Sequence, residues 1–292
     1  GYYQYFNHKN LFGLERMSSR PSSFFGDELI MGSYLSRLFP LFFALFLIKP
    51  KKTYEVYFIG ILFILVDVLI FISGERTAFF FLNLSTIFII ILIKEYQIFR
   101  LITFIAAFIC ITIITLNSPN LTKRMIVTPA QDMGIVKNTE QEIQNKPVFF
   151  SAVHDSHIRT AFEMFKDKPF FGHGPKMFRK KCSDPKYSVG KSPCNTHPHN
   201  FYLQLLAETG IIGFSFLFFA FCYVLFCSFK QIKSIIFKKK RYFTDYQVCL
   251  LAGLLITLWP FSPNGNFFNN WLAIIYSLPV GFYIQSIYSK EN

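Results

Sequence analysis

No Cys-x-x-Cys pair occurs in this chain, and four of its six cysteines (Cys110, Cys222, Cys227 and Cys249) fall inside apolar runs. That absence argues against a zinc site built on paired thiolates. Cys182, Cys194, His197 and His199 make a conceivable four-ligand set, but the two cysteines are far apart for such a site, and no metal or other cofactor is expected. There is no internal repeat, and no low-complexity linker beyond the polar stretch 137–146. An initiator Met and a secretory signal pattern are both missing: the chain begins Gly1-Tyr2-Tyr3 and reads as a fragment or a processed chain. Acidic residues are scarce, 17 against 30 Lys and Arg, which leaves a net charge of +13. A balance of that kind can mark a nucleic-acid partner. Here much of the basic charge sits in short joints between apolar runs, where it marks membrane orientation instead, so no nucleic acid is expected.

Apolar sequence is abundant. The chain is 52% hydrophobic with 39 Phe, more than a soluble domain of 292 residues needs. Several runs reach the roughly 20 residues that cross a hydrocarbon core. A helix satisfies its own backbone hydrogen bonds in lipid and an open sheet does not. The expected fold is therefore an all-α polytopic membrane protein with about seven transmembrane helices, at 29–48, 54–73, 77–93, 98–116, 201–229, 246–261 and 267–288. Lys49, Lys51 and Lys52, then Lys94 and Arg100, then the run from Lys230 to Arg241, then Lys290, fall on one side of a seven-span arrangement, and that side is assigned to the cytoplasm. The expected organisation is an external N-terminal segment with four helices (1–116), one long external loop (117–200) and three C-terminal helices (201–292). The loop carries 13 Lys and Arg against 7 Asp and Glu, a balance that favours an anionic ligand. An external location also permits a Cys182–Cys194 disulfide.

Ionisable residues inside apolar spans cost about 2.5 kcal/mol or more each and usually face a partner or a cavity. Arg37 and Asp67 qualify. They reach similar depth on an antiparallel hairpin around Lys51-Lys52 and are expected to pair, either as a fixed strut or as part of a substrate site. Arg76 sits at the external end of the next hairpin, in Ser73-Gly74-Glu75-Arg76-Thr77. It suits an interfacial anchor or a fixed guanidinium for phosphate oxygens. In the loop a helical pattern begins at Arg159 and should stop near Asp167-Lys168-Pro169. Gly172-x-Gly174 then marks a turn, with a phosphate cradle as the less favoured reading. Lys176, Arg179, Lys180 and Lys181 form a basic run.

The most informative stretch is His197-Pro198-His199-Asn200, followed at once by an apolar helix. Imidazole is the side chain best suited to move protons near neutral pH, and here it stands where polar sequence becomes a span. Asn200, Gln204 and Glu208 fall on one helix face.

His199-Asn200, nine residues, Gly210, two residues and Gly213 complete a pattern that resembles the bacterial O-antigen ligase/O-antigen polymerase family. Three more segments resemble it too: Arg20-Pro-Ser-Ser-Phe-Phe-Gly-Asp27 ahead of a span, Ser73–Ala78 at a hairpin, and Arg159 leading into Pro169–Pro175. The third position of the hairpin motif is Glu75, where the family commonly has a small polar residue. Family members usually carry around twelve spans, so the chain looks like a C-terminal portion.

The resemblance implies a GT-C-like, inverting, metal-independent membrane glycosyltransferase. Its partners would be membrane lipids, an undecaprenyl-pyrophosphate-linked glycan as donor, and lipid A-core or a second lipid-linked unit as acceptor. Some relatives use a protein hydroxyl. By motif match His199 is the catalytic base. Arg76 and Arg159, with Arg20 as the less distinctive match, would bind the pyrophosphate; Asn200 would hold the sugar or orient His199, and His197 would orient the acceptor or take no part. The implied location is the bacterial inner membrane, with the active site facing the periplasm. A lipid-linked glycan transporter and a basic scaffold subunit of an envelope complex are the rival readings.

Overall fold

The computed structural model describes residues 1–16, 20–49, 51–132 and 151–288; the polar stretch 137–146 and Lys290 lie outside them. The described residues form twelve α-helices and one short π-helical turn, with no strand among them. They comprise α1 (Tyr2–Asn7), α2 (Met31–Phe46), α3 (Thr53–Ile72), α4 (Arg76–Leu92), α5 (Gln97–Asn117), α6 (Pro119–Thr122), α7 (Thr128–Asp132), α8 (Ala152–Asp167), α9 (Phe178–Lys181), α10 (Phe201–Ile236), α11 (Asp245–Thr257) and α12 (Asn270–Tyr288), the π turn being Lys123–Val127. The chain folds as two units. One comprises Gly1–Ile126, Val224–Thr257 and Ile275–Asn292, the other Val127–Tyr223 and Leu258–Ile274.

In the first unit α11 is the centre. Every residue from Gln247 to Thr257 is buried, and α2 and α4 pack against it. α3 packs on α5 and turns Tyr57, Phe58 and Ile61 outward, while α5 exposes Ile98, Ile102, Ile105, Ile109 and Ile113. Large apolar side chains displayed along whole helices suit a lipid surface rather than water. α3, α5 and α10 are long and apolar enough to cross a membrane; Met31–Phe46, Arg76–Leu92, Asp245–Thr257 and Leu272–Tyr288 are shorter apolar helices. The chain is thus an all-α membrane protein.

The buried charges pair differently from the sequence expectation. Asp67 does not pair with Arg37. Arg100 takes it instead, Nη1 to Oδ2 at 2.8 Å and Nη2 to Oδ1 at 3.2 Å, with Thr86 Oγ1 accepting from Nη2 at 2.7 Å. Arg37 lies between two rings, its guanidinium 4.7 Å from the Phe81 centroid and 4.4 Å from that of Tyr276. The reason is azimuth. Matching depth brings two residues to one level, but Asp67 shares a face of α3 with Gly60, Phe63 and Phe71, and α5 covers that helix. Arg100, expected at a cytoplasmic joint, sits in the first turn of α5 and is fully buried.

The N-terminal segment is tied by side-chain amides. Gln4 Oε1 accepts from Ser23 N at 2.6 Å, and Asn10 Nδ2 donates to Ser23 O at 2.6 Å.

Candidate functional site

In the second unit, α8 starts at Ala152, seven residues before the expected start at Arg159, and Ser151 caps it by accepting from His154 N. It ends at Asp167, as the Asp-Lys-Pro sequence requires. The early start puts His154 and His157 on the helix. Both rings face His199, with centroids 5.4 and 5.5 Å away, and the His197 ring lies 4.3 Å from it. Four imidazoles therefore form one cluster around His199. Sequence reasoning reached His197 and His199 but not the α8 pair, whose spacing of three along one helix face was the available signal.

The tautomers follow from the partners. Asn195 Nδ2 donates to His199 Nε2 at 3.0 Å, so that nitrogen accepts and the ring is neutral. His197 Nε2 donates to Asn264 O at 3.2 Å, and its Nδ1 accepts from Thr196 Oγ1 at 2.9 Å. Burial pushes His199 down to about 3, helped by the neighbouring His197, His154 and His157. Burial also lowers His197 to about 4, against the Asn264 carbonyl. His199 holds a left-handed backbone, φ 56°, and its carbonyl accepts from Asn264 N at 2.7 Å. Asn264 thus holds both residues, His197 through its ring and His199 through its main-chain carbonyl. The accepting nitrogen of His199 faces an exposed partner, Asn195, that an incoming hydroxyl can replace.

Asn200 caps α10. Its Oδ1 accepts from Leu203 N at 3.1 Å and its Nδ2 donates to Pro260 O at 2.7 Å. Gln204 and Glu208 continue the polar stripe and hold loops. The Glu208 carboxylate accepts from Lys176 N at 2.9 Å and Phe178 N at 2.8 Å, and Gln204 Nε2 donates to Asn266 Oδ1 at 2.8 Å. The Gly172-x-Gly174 turn has its amides engaged as well: His173 N donates to Ala207 O at 3.1 Å and Gly174 N to Glu208 O at 2.8 Å. It is a docking turn, not a phosphate cradle. α10 receives it at Gly210, where the helix breaks (φ 65°, ψ −166°) and Ile211 N turns to Pro169 O at 2.8 Å. What approaches α10 at Gly210 is the loop at Phe170 and Phe171.

Cys182 and Cys194 are joined by a disulfide, with Cα atoms 5.1 Å apart. The bond takes both thiolates out of the four-residue zinc set.

The arginines divide. Arg159 is half-exposed and pairs with Asp155, Nε to Oδ2 at 2.6 Å. It lies about 140° around α8 from His154, so the structure does not turn it toward the imidazoles. In the first unit Arg76 and Arg20 meet at the Gly74 turn with Arg124, a residue no motif singled out. Arg76 Nε donates to Arg124 O at 3.0 Å, Arg124 Nε to Gly74 O at 2.8 Å and Arg20 Nε to Ser73 O at 3.0 Å. Glu75 is turned away. Its carboxylate accepts from Gly32 N at 2.6 Å and from Ser33 N at 2.9 Å, and burial raises it.

Residues 58–218 match the family model described as O-antigen ligase, and they are more than half of the 292-residue chain. The chain belongs to the O-antigen ligase family. Comparison with curated proteins and with solved structures finds no match. Membership makes this membrane protein an enzyme of the O-antigen ligase/polymerase type, working on lipid-linked glycan and lipid A-core classes of substrate. The matched stretch contains Arg76, Arg159, the four-imidazole cluster, Gly210 and Gly213; Arg20 lies outside it.

Proposed function

We propose that this O-antigen ligase family member transfers a glycan from undecaprenyl pyrophosphate to an acceptor hydroxyl, with inversion and without a metal. His199 is the base. Its Nε2 takes the hydroxyl proton as that oxygen attacks the anomeric carbon; the bond from that carbon to the pyrophosphate oxygen breaks, and its electron pair leaves on the lipid pyrophosphate. The observation that carries this reading is the His199 ring itself: neutral, half-buried, and with its accepting nitrogen directed at an exposed amide. A ring held at about 3 is by itself a weak base. An arriving pyrophosphate brings negative charge into a low-dielectric site, which favours imidazolium and raises the basicity when it is needed.

Arg76, Arg159 and Arg20 bind the pyrophosphate and stabilise the charge it gains. Arg159 does so by exchanging its Asp155 partner for a phosphate oxygen. His197 and Asn200 set the base through the backbone they hold. The seven apolar helices span the inner membrane, with the imidazole cluster at the periplasmic face and lipid A-core as the acceptor. A polymerase or a protein-glycosylating enzyme would use the same chemistry with another acceptor.

The test is glycan transfer in membranes containing the protein, given a pyrophosphate-linked donor and, in separate reactions, lipid A-core or a second donor molecule. His199→Ala at normal abundance should lower transfer by a factor on the order of 10² to 10⁴. The acceptor that works in the wild type assigns ligase or polymerase. Undiminished transfer by the variant would remove the base assignment.

A further inference from the structure

A cleft of about 80 Å³ opens in the first unit, lined by Arg16, Arg20 and Arg124 with Tyr5, Ser118 and Asn120. Among the described residues no carboxylate lines it. Arg16 comes from the N-terminal segment, where its Nη1 donates to Tyr5 O at 3.1 Å and its guanidinium carbon lies 5.8 Å from the Tyr5 ring centroid. Its Nε is buried and has no acceptor among the described residues. Arg20 and Arg124 converge on the Gly74 turn; a Cβ placed on Gly74 would lie 3.0 Å from Arg124 Nε and 3.3 Å from Arg20 Cγ. Each uses its Nε on a backbone carbonyl of that turn.

Like charges are crowded here. Burial, and then Arg124, pull Arg20 down to about 10, and Arg124 is lowered by burial and by Arg76. Glu75, the nearest counter-charge, has its oxygens committed to the start of α2. A group that offered two or more anionic oxygens would answer the unsatisfied Arg16 Nε and the repulsion together.

We propose that the Arg16–Arg20–Arg124 cleft binds a phosphate-bearing headgroup, with Arg16 and Arg124 as ligand-contacting residues that no sequence motif identifies. Two sources carry that chemistry, a polyprenyl pyrophosphate and an anionic phospholipid. The proposal does not depend on His199 acting as a base.

The test uses the full chain in phosphatidylcholine nanodiscs, titrated with inorganic pyrophosphate and followed by calorimetry. Wild type should bind saturably. Arg124→Gln and Arg16→Gln should each weaken binding roughly tenfold, and Arg124→Lys should weaken it less, because a charge-assisted pair is worth about 1.5–3 kcal/mol and each 1.4 kcal/mol is about tenfold. His199→Ala should bind as wild type does, so a failure of the base assignment leaves this result standing. Phosphatidylglycerol in the disc that displaces pyrophosphate would name a phospholipid as the source. Displacement by undecaprenyl pyrophosphate but not by phosphatidylglycerol would name the donor. The Arg124→Lys variant and the apparent melting temperature of each variant guard against misfolding. Wild-type affinity in a folded Arg16→Gln/Arg124→Gln protein would overturn the proposal, and so would the absence of binding by pyrophosphate and both lipids.

Discussion

Replacing Gly210 with Ala should damage the second unit out of proportion to one methyl group. Gly210 holds φ 65° and ψ −166°, a region essentially closed to residues with a Cβ. Forcing Ala there costs about 1–3 kcal/mol in backbone strain alone. The new Cβ would also press on Phe170 C and O and lie 2.6 Å from Phe171 N, backbone atoms that no rotamer change can move aside. If the loop retreats, three backbone hydrogen bonds go with it: His173 N to Ala207 O at 3.1 Å, Gly174 N to Glu208 O at 2.8 Å, and Ile211 N to Pro169 O at 2.8 Å. At about 1 kcal/mol each they bring the total to about 4–6 kcal/mol, a large part of a typical folding free energy of about 5–15 kcal/mol. Gly172 faces the same contact from the loop side, where its Cβ would lie 2.6 Å from Glu208 O. Gly172→Ala should therefore behave alike, and the double variant should cost less than the sum, because either wedge alone opens the joint. Gly281→Ala is the control: a Cβ placed there meets nothing within 4 Å. The assay is apparent melting temperature and inactivation half-life of detergent-solubilised protein at one scan rate. A Gly210→Ala protein as durable as wild type would refute the docking-turn account.

Two further predictions follow from the buried groups. Asp67→Ala leaves Arg100 buried without its carboxylate and should destabilise by about 3–5 kcal/mol, whereas Asp67→Leu with Arg100→Met should recover most of the loss; swapping the charges of Arg37 and Asp67 should rescue nothing, and rescue by that swap would contradict the pairing described here. His197 and His199 lie below the ordinary histidine value of about 6.5 when folded, so the unfolded chain gains their protons first as pH falls. Stability should therefore decline from about pH 6.5 downward, the full penalty being reached only near their folded values of about 4 and about 3. The apparent melting temperature should be lower at pH 5 than at pH 7, and His197→Gln with His199→Gln should shrink that difference; an unchanged difference in the double variant would count against the buried neutral pair.

Much of this protein is legible in its sequence, because lipid imposes local rules. The long apolar runs had to become helices, since their backbones have no other partner in hydrocarbon. The spans expected at 54–73 and 98–116 match α3 and α5 to within two residues at each end. His199 was legible because of its place at a polar-to-apolar boundary, and the disulfide because only two cysteines lay in polar sequence. What the sequence left undecided was direction around each helix and what approaches it from far along the chain. Depth along the chain placed Arg37 and Asp67 level; packing turned one toward Phe81 and Tyr276 and the other toward Arg100. His154 and His157 joined His199 only because α8 begins early at a Ser cap, and Arg159 on the same helix was turned away by helical periodicity. Arg16 and Arg124 are about a hundred residues apart and share a cleft through tertiary contact alone. Hydrophobic pattern and backbone chemistry act over a few residues and can be read from the chain, whereas the neighbours of a side chain are fixed by packing, which answers to the whole fold.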